Sequence, residues 1–138
     1  MIAVDTNVLV RFLVADDEAQ AAAATAAFAA ADRTRVALFV SQIVLCELVW
    51  VLSRAYRQAR PAIVGVLESL LRSRGLEIEG RDEVGRAVAA FASGKGDFAD
   101  YLVRERTRAA GCESVMTFDA ALLKEDGFVR PSARAFSS

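Results

Sequence analysis

Ile2-Ala3-Val4 runs straight into Asp5, Thr6 and Asn7, and far along the chain Ser114-Val115-Met116-Thr117-Phe118 runs straight into Asp119. Both are the same local object, a short apolar run with an acid at its carboxyl end. Continuous apolar runs of this length read as buried strands of a parallel sheet. In open α/β sheets, ligands bind at the carboxyl edge of the strands. Asp5 and Asp119 are therefore expected at that edge, close together if their strands are adjacent. Either one alone reads first as a turn or cap aspartate; the repetition favours a shared site.

Glu47 is a third acid that needs explaining. Its helical neighbours Ile43, Val44, Trp50 and Val51 are apolar, and so are Cys46 and Leu48 beside it. A carboxylate buried on such a face must pair, bind metal or take up a proton. A buried ion pair, with Arg54 or another arginine, is the competing explanation. Asp97 and Asp100, three residues apart, share one face of a first helical turn. Asp97 is accounted for as the N-cap, whereas Asp100 is not needed as a cap and is the better candidate for chemistry.

Asp5, Glu47, Asp100 and Asp119 are thus expected to converge at one edge, with no histidine or lysine beside them in sequence. Four carboxylates cannot all stay ionised together without a counter-charge. A hard divalent cation supplies it, and ligands that are all oxygen select Mg²⁺ or Mn²⁺ over zinc. Such ions promote phosphodiester cleavage.

Composition narrows the field further. The chain contains no histidine, which removes imidazole metal sites, histidine general bases and Ser-His or Cys-His nucleophiles. Cys46 and Cys112 form no ligand pair and are expected as small core residues of a reducing compartment. A formal net charge of −1 is not the footprint of a strong duplex-DNA binder. Of the 17 basic residues, only Lys95 and Lys124 are lysines. No segment is long and apolar enough to span a membrane, and no basic region opens a secretory signal, so the cytoplasm is the expected location.

The elements that must position the acids follow from periodicity and caps. Asn7, a preferred N-cap, opens a short helix over Val8–Val14. Asp16-Asp17-Glu18, read as a solvated helix start, leads into an alanine-rich helix through Ala31. Val36–Val40 is an expected strand. Ser41 caps a long helix from Gln42 to about Gln58. Pro61 suits the first turn of the next, which runs to about Arg74. Leu76–Glu79 alternates as a half-buried strand. Asp82 caps a helix to Ser93, Gly94-Lys95-Gly96 is a flexible connection, and Asp97 caps a helix ending near Gly111. Leu122 and Leu123 sit on a last short helix, and Phe128–Arg130 adds an edge strand. Alternating strands and helices in 138 residues predict one α/β domain, residues 1–138, with a parallel sheet covered on both faces.

Four blocks now match a family pattern in order: Asp5-Thr6-Asn7-Val8-Leu9, Val44 to Leu52 around Glu47, Asp97 to Leu102, and Thr117-Phe118-Asp119. Over nearly its whole length the chain resembles PIN-domain ribonucleases, in particular the VapC toxins of bacterial toxin–antitoxin pairs. The resemblance implies a three-layer α/β/α PIN-like sandwich with a mostly parallel central sheet. It implies Mg²⁺- or Mn²⁺-dependent endoribonuclease activity leaving 5′-phosphate and 3′-hydroxyl ends, a homodimer, and inhibition by a VapB-like antitoxin. Asp5, Glu47, Asp100 and Asp119 look like the metal-binding quartet. Thr6 and Thr117 look like supporting hydroxyls, and Asp97 resembles an accessory acid. Arg11 and Arg104 are candidates for holding flanking RNA phosphates.

Other readings remain. Phospho-aspartate chemistry wants two acids spaced two apart after the first strand, and position 7 is Asn. A receiver-like signalling domain wants an acid pair at the first strand, where Asp16-Asp17 fall too late, and a late lysine, for which only Lys124 is available. A PIN-fold nuclease of RNA processing outside a toxin pair, or a non-catalytic acidic-pocket domain that binds RNA or a partner, shares the same four acids.

Overall fold

The structure is a computed structural model, and it describes residues 1–136. The chain divides into two compact units, Met1–Arg81 and Asp82–Ser138.

In the first unit, β1 (Ile2–Ala3), β2 (Leu38–Val40) and β3 (Leu76–Ile78) form a parallel sheet in the order β1-β2-β3. Leu38 lies opposite Ile2 on one side and Leu76 on the other. Parallel strands need crossovers, and helices provide them. Between β1 and β2 run α1 (Thr6–Leu13) and α2 (Glu18–Thr34); between β2 and β3 run α3 (Gln42–Arg54) and α4 (Arg60–Arg72). Leu9, Val40, Leu45, Leu48, Leu52 and Leu67 are almost fully buried and form the centre of this unit's core. β3 alternates as expected, with Leu76 and Ile78 buried and Glu77 exposed. β1 departs from expectation: Ile2 and Ala3 are exposed and only Val4 is buried. The reason is its place at the edge of a three-stranded sheet, where it pairs with β2 alone.

Helix ends follow their caps. α1 begins at Thr6 and takes Asp5, not Asn7, as its N-cap. α2 is held by Asp17, whose side chain accepts from Gln20 N–H, and by alanine propensity, since Ala24 alone is buried in it. Asp16, expected to be merely solvated, accepts from the Tyr56 hydroxyl at 2.8 Å and from Arg11 at 3.1 Å. α3 opens at Ser41, whose Oγ accepts from Val44 N–H. It closes at Arg54, short of Gln58, because the chain turns left-handed at Arg57 (φ 52°) before Pro61 starts α4.

The second unit holds most of α5 (Arg81–Ser93), then α6 (Phe98–Ala109), β4 (Val115–Met116), a 3₁₀ turn at Leu122–Lys124, β5 (Phe128–Val129) and a 3₁₀ turn at Ala133–Phe136. β4 and β5 pair in parallel, so the late strand expected at Phe128 is present. Its core is aromatic. Phe91 meets Phe98 edge-on at 6.1 Å, and Tyr101 meets Phe128 edge-on at 6.4 Å.

Tyr101 also explains the glycines before α6, and the expectation of a flexible connection fails there. Its buried hydroxyl accepts from Gly96 N–H at 2.9 Å and donates to the Glu125 carboxylate. A Cβ on Gly94 would stand 1.9 Å from that hydroxyl and 2.8 Å from the Ala90 carbonyl. Gly94-Lys95-Gly96 is thus a close-packed path around a phenol. Gly94→Ala is expected to cost about 1–3 kcal/mol in chemical denaturation through overpacking. Tyr101→Phe, which deletes the obstructing oxygen, is expected to cost less in that background than alone. A Gly94→Ala protein as stable as the parent would contradict this packing.

Candidate active site

In the first unit the chain leaves β1, buries Val4 and presents Asp5 to solvent at the start of α1. Asp5 Oδ1 accepts from Thr6 N–H at 2.8 Å, and the Asp5 carbonyl accepts from Val8 and Leu9. The carboxylate therefore has one oxygen tied to backbone. Thr6 is buried, and its hydroxyl oxygen has no hydrogen-bond partner among the described residues. An unpartnered buried hydroxyl is costly, and beside an exposed carboxylate it marks a place for a water or an ion's ligand.

Glu47 is not where its apolar neighbours suggested. It is exposed, and so are Ile43 (72%) and Trp50 (62%), four residues before and three after it. α3 buries Leu45, Leu48, Val49 and Leu52 instead. Glu47 shares an exposed face with Ile43 and Trp50, so the desolvation cost that would compel an ion pair does not arise. Glu47 is free to meet a ligand from solution. Cys46 is half-buried, which pushes its thiol up, and Cys112 is exposed rather than in the core.

In the second unit, three of the expected residues come together at the start of α6. Asp97 is the N-cap of α6, and its own N–H donates to Asp100 Oδ2 at 2.9 Å. Asp100 is thus the returning half of a capping box, a capping role not expected of it from sequence. Asp119 Oδ1 accepts from Ala121 N–H (2.9 Å) and Leu122 N–H (3.2 Å). The Asp119 amide in turn donates to Thr117 Oγ1 at 3.1 Å, so Thr117 fixes the backbone that carries the acid.

Burial pushes the Asp100 carboxyl above its ordinary value. The Asp97 amide opposes this, and the charges of Asp97, Asp119 and Glu125 push it further up. The charged side chains that raise Asp100 are all acids. Glu125 is a member of this group that its sequence neighbours did not reveal; Tyr101 holds it there. The donor set is all oxygen and of one sign, which fits a hard divalent cation. Among the described residues, no three acids or thiols are arranged to hold an ion.

The two arginines expected to face RNA are engaged elsewhere. Arg11 donates to Gln20 at 2.6 Å and pairs with Asp16. Arg104 bonds Glu105 and the Asp126 carbonyl. Among the described residues, Glu105 is the one buried carboxylate, 2% exposed. Burial raises its carboxyl, but hydrogen bonds from Arg104 and Arg86 and the charges of Arg108 and Arg104 outweigh that, so the group is held below its ordinary value. Its sequence signal was available: Tyr101 and Leu102 lie one turn before it, and arginines flank it at 104, 106 and 108.

Residues 2–126 match the PIN domain family, and the chain belongs to it. It carries the α/β/α fold class of that family, as its sequence implied. A VapC ribonuclease of Aquifex aeolicus (strain VF5) is 27% identical over 114 residues, covering 83% of this chain and 84% of that protein. Among the described residues, no helix is long and apolar enough to cross a membrane.

The crowding around Asp100 has a pH signature. An acid raised by folding lowers stability as pH climbs through its ordinary value, 3.8 here, and the whole penalty is present above the raised value. Without metal, Asp100→Asn is expected to melt higher than the parent at neutral pH, since Asn still accepts from Asp97. Below 3.8 the gain should vanish. Thermal melts in chelator across that range check this; a neutral-pH loss would show that the charge is compensated.

Proposed function

We propose that the chain, residues 1–138 acting as one PIN-like domain, is a Mg²⁺- or Mn²⁺-dependent endoribonuclease. We further propose that it serves as the toxin of a VapBC-type pair, active as a homodimer and restrained by a VapB-like antitoxin. The observation that carries this is the acidic group around Asp100, where the charges of Asp97, Asp119 and Glu125 all push its carboxyl up. Membership of the PIN family and likeness to a VapC ribonuclease support it.

Asp5, Glu47, Asp100 and Asp119 would hold the ion. A bound divalent cation would polarise the scissile phosphate and make water a nucleophile at neutral pH. The chain's own contribution is orientation. Asp5 uses Oδ1 on Thr6, Asp100 uses Oδ2 on Asp97, and Asp119 uses Oδ1 on Ala121 and Leu122. Each carboxylate is thereby fixed through one oxygen and keeps the other for a ligand. Asp97 and Thr117 hold two of these acids, and Thr6 offers an uncommitted hydroxyl beside the third. Glu47, exposed on α3, would be the fourth ligand.

Purified protein incubated with single-stranded RNA and Mg²⁺ is expected to cut it, and Asp5→Asn or Asp100→Asn to abolish cutting with the fold intact. Thr6→Val should reduce cutting about 10–100-fold without loss of stability, because the buried hydroxyl it removes is unpartnered. Cleavage at the parental rate by either Asn variant would sink the assignment.

A further inference from the structure

Glu105 lies among three guanidiniums, more positive charge than one buried carboxylate needs. Arg104 Nε reaches Oε2 at 2.9 Å, Arg86 Nε reaches Oε1 at 3.1 Å and Arg108 Nη1 reaches Oε2 at 3.3 Å. Arg104 is the inner partner. It is 13% exposed, donates to the Asp126 carbonyl, and lies over the rings of Tyr101 and Phe128 at 5.3 and 5.5 Å. Three cations face one carboxylate, so two positive charges are surplus here, and they lie with the more exposed Arg86 and Arg108.

Both surplus arginines are aimed outward. Arg86 is 55% exposed and held through Nε alone. Its two terminal amino groups have no protein partner among the described residues. Arg108 is 44% exposed; beyond Glu105 its one ion-pair partner among the described residues is Asp126, 3.7 Å away and 98% exposed, a weak partner. Asp82, one turn before Arg86 on α5, makes no ion pair among the described residues. Anchoring one edge of a guanidinium fixes its plane and leaves its other donors displayed. The rotamer freedom of these long side chains was given up on folding, so less is lost on binding. Forked donors of this kind match phosphate oxygens.

We propose that Arg86 and Arg108, oriented by Glu105, form a surface on the second unit that grips the phosphate backbone of the RNA substrate. The proposal rests on the nuclease reading above. A protein partner would want a large apolar anchor at the interface, and the positions one turn from Arg86 are Asp82, Glu83, Ala89 and Ala90. With an overall charge of −1, the chain needs a local surface of this kind to hold a polyanion.

The test is titration of a fluorescein-labelled single-stranded RNA with the full chain in chelator, over a range of salt. Every phosphate that a side chain ceases to neutralise on a single strand lowers the slope of log affinity against log salt by about 0.7. Arg86→Gln and Arg108→Gln should each show that drop, and the double variant about twice it. Arg33→Gln, which removes the same charge from the last turn of α2, should leave the slope unchanged. Melts establish that the variants fold; if a Gln variant does not, the Lys variant, which keeps charge and loses the fork, should keep the slope and bind several-fold more weakly. An unchanged slope in the double variant, an equal drop in Arg33→Gln, or no RNA binding by the parent overturns the proposal. So does preferential, Arg86- and Arg108-dependent binding of polyglutamate. Adding Mg²⁺ separates the two readings: RNA bound with this slope but never cut removes the nuclease and leaves the surface standing.

Discussion

A helix begins with amide hydrogens that have no partner inside it, and in this chain carboxylates meet that need at most of the places where chemistry is expected. Asp5 starts α1, Asp97 and Asp100 start α6 between them, and Asp119 starts the 3₁₀ turn that follows β4. The positive end of a helix favours an anion there, so the same residues serve the fold and stand available to a cation. This double use sets their geometry. A capping acid is turned back toward its own backbone, one oxygen occupied and one presented. It also sets a cost, because acids drawn to neighbouring caps repel one another, as Asp100 registers.

The charge of α6 is ordered along its axis. Its first turn is acidic, with Asp97 and Asp100, and its last turn carries Arg106 and Arg108. That arrangement complements the helix macrodipole at both ends. Twelve residues at about 1.5 Å each separate the two regions by roughly the span of a few nucleotides. One helix thus places opposite charge at opposite ends, with Glu105 holding three arginines in register between Tyr101 and the helix end.

The elements and their order were legible because periodicity and caps are local signals: among the described residues, six α-helices and five strands fall where the sequence puts them, shifted by a few residues at their ends. The acids at strand ends were legible for the same reason. What was not legible required knowing which face of a helix turns inward. Glu47, with apolar residues on both sides in sequence, is exposed, whereas Glu105, with arginines beside it, is buried. Apolar neighbours do not say whether they are themselves covered. Gly94-Lys95-Gly96 looked like slack because glycine is ambiguous until its surroundings are known; the Tyr101 hydroxyl, five residues on from Gly96, supplies the reason. Glu125 joined the acidic group through that same hydroxyl, a tertiary contact with no trace in local spacing.

Trp50 is the one tryptophan in the chain, and it sits on the open face of α3, three residues beyond Glu47 and mostly in water. Its indole is already largely hydrated in the folded chain. Intrinsic fluorescence is therefore a poor witness to loss of the core, and a good one to whatever settles over α3. Quenching or a blue shift of that single emitter reports occupancy beside a candidate ligand, without any label added to the molecule.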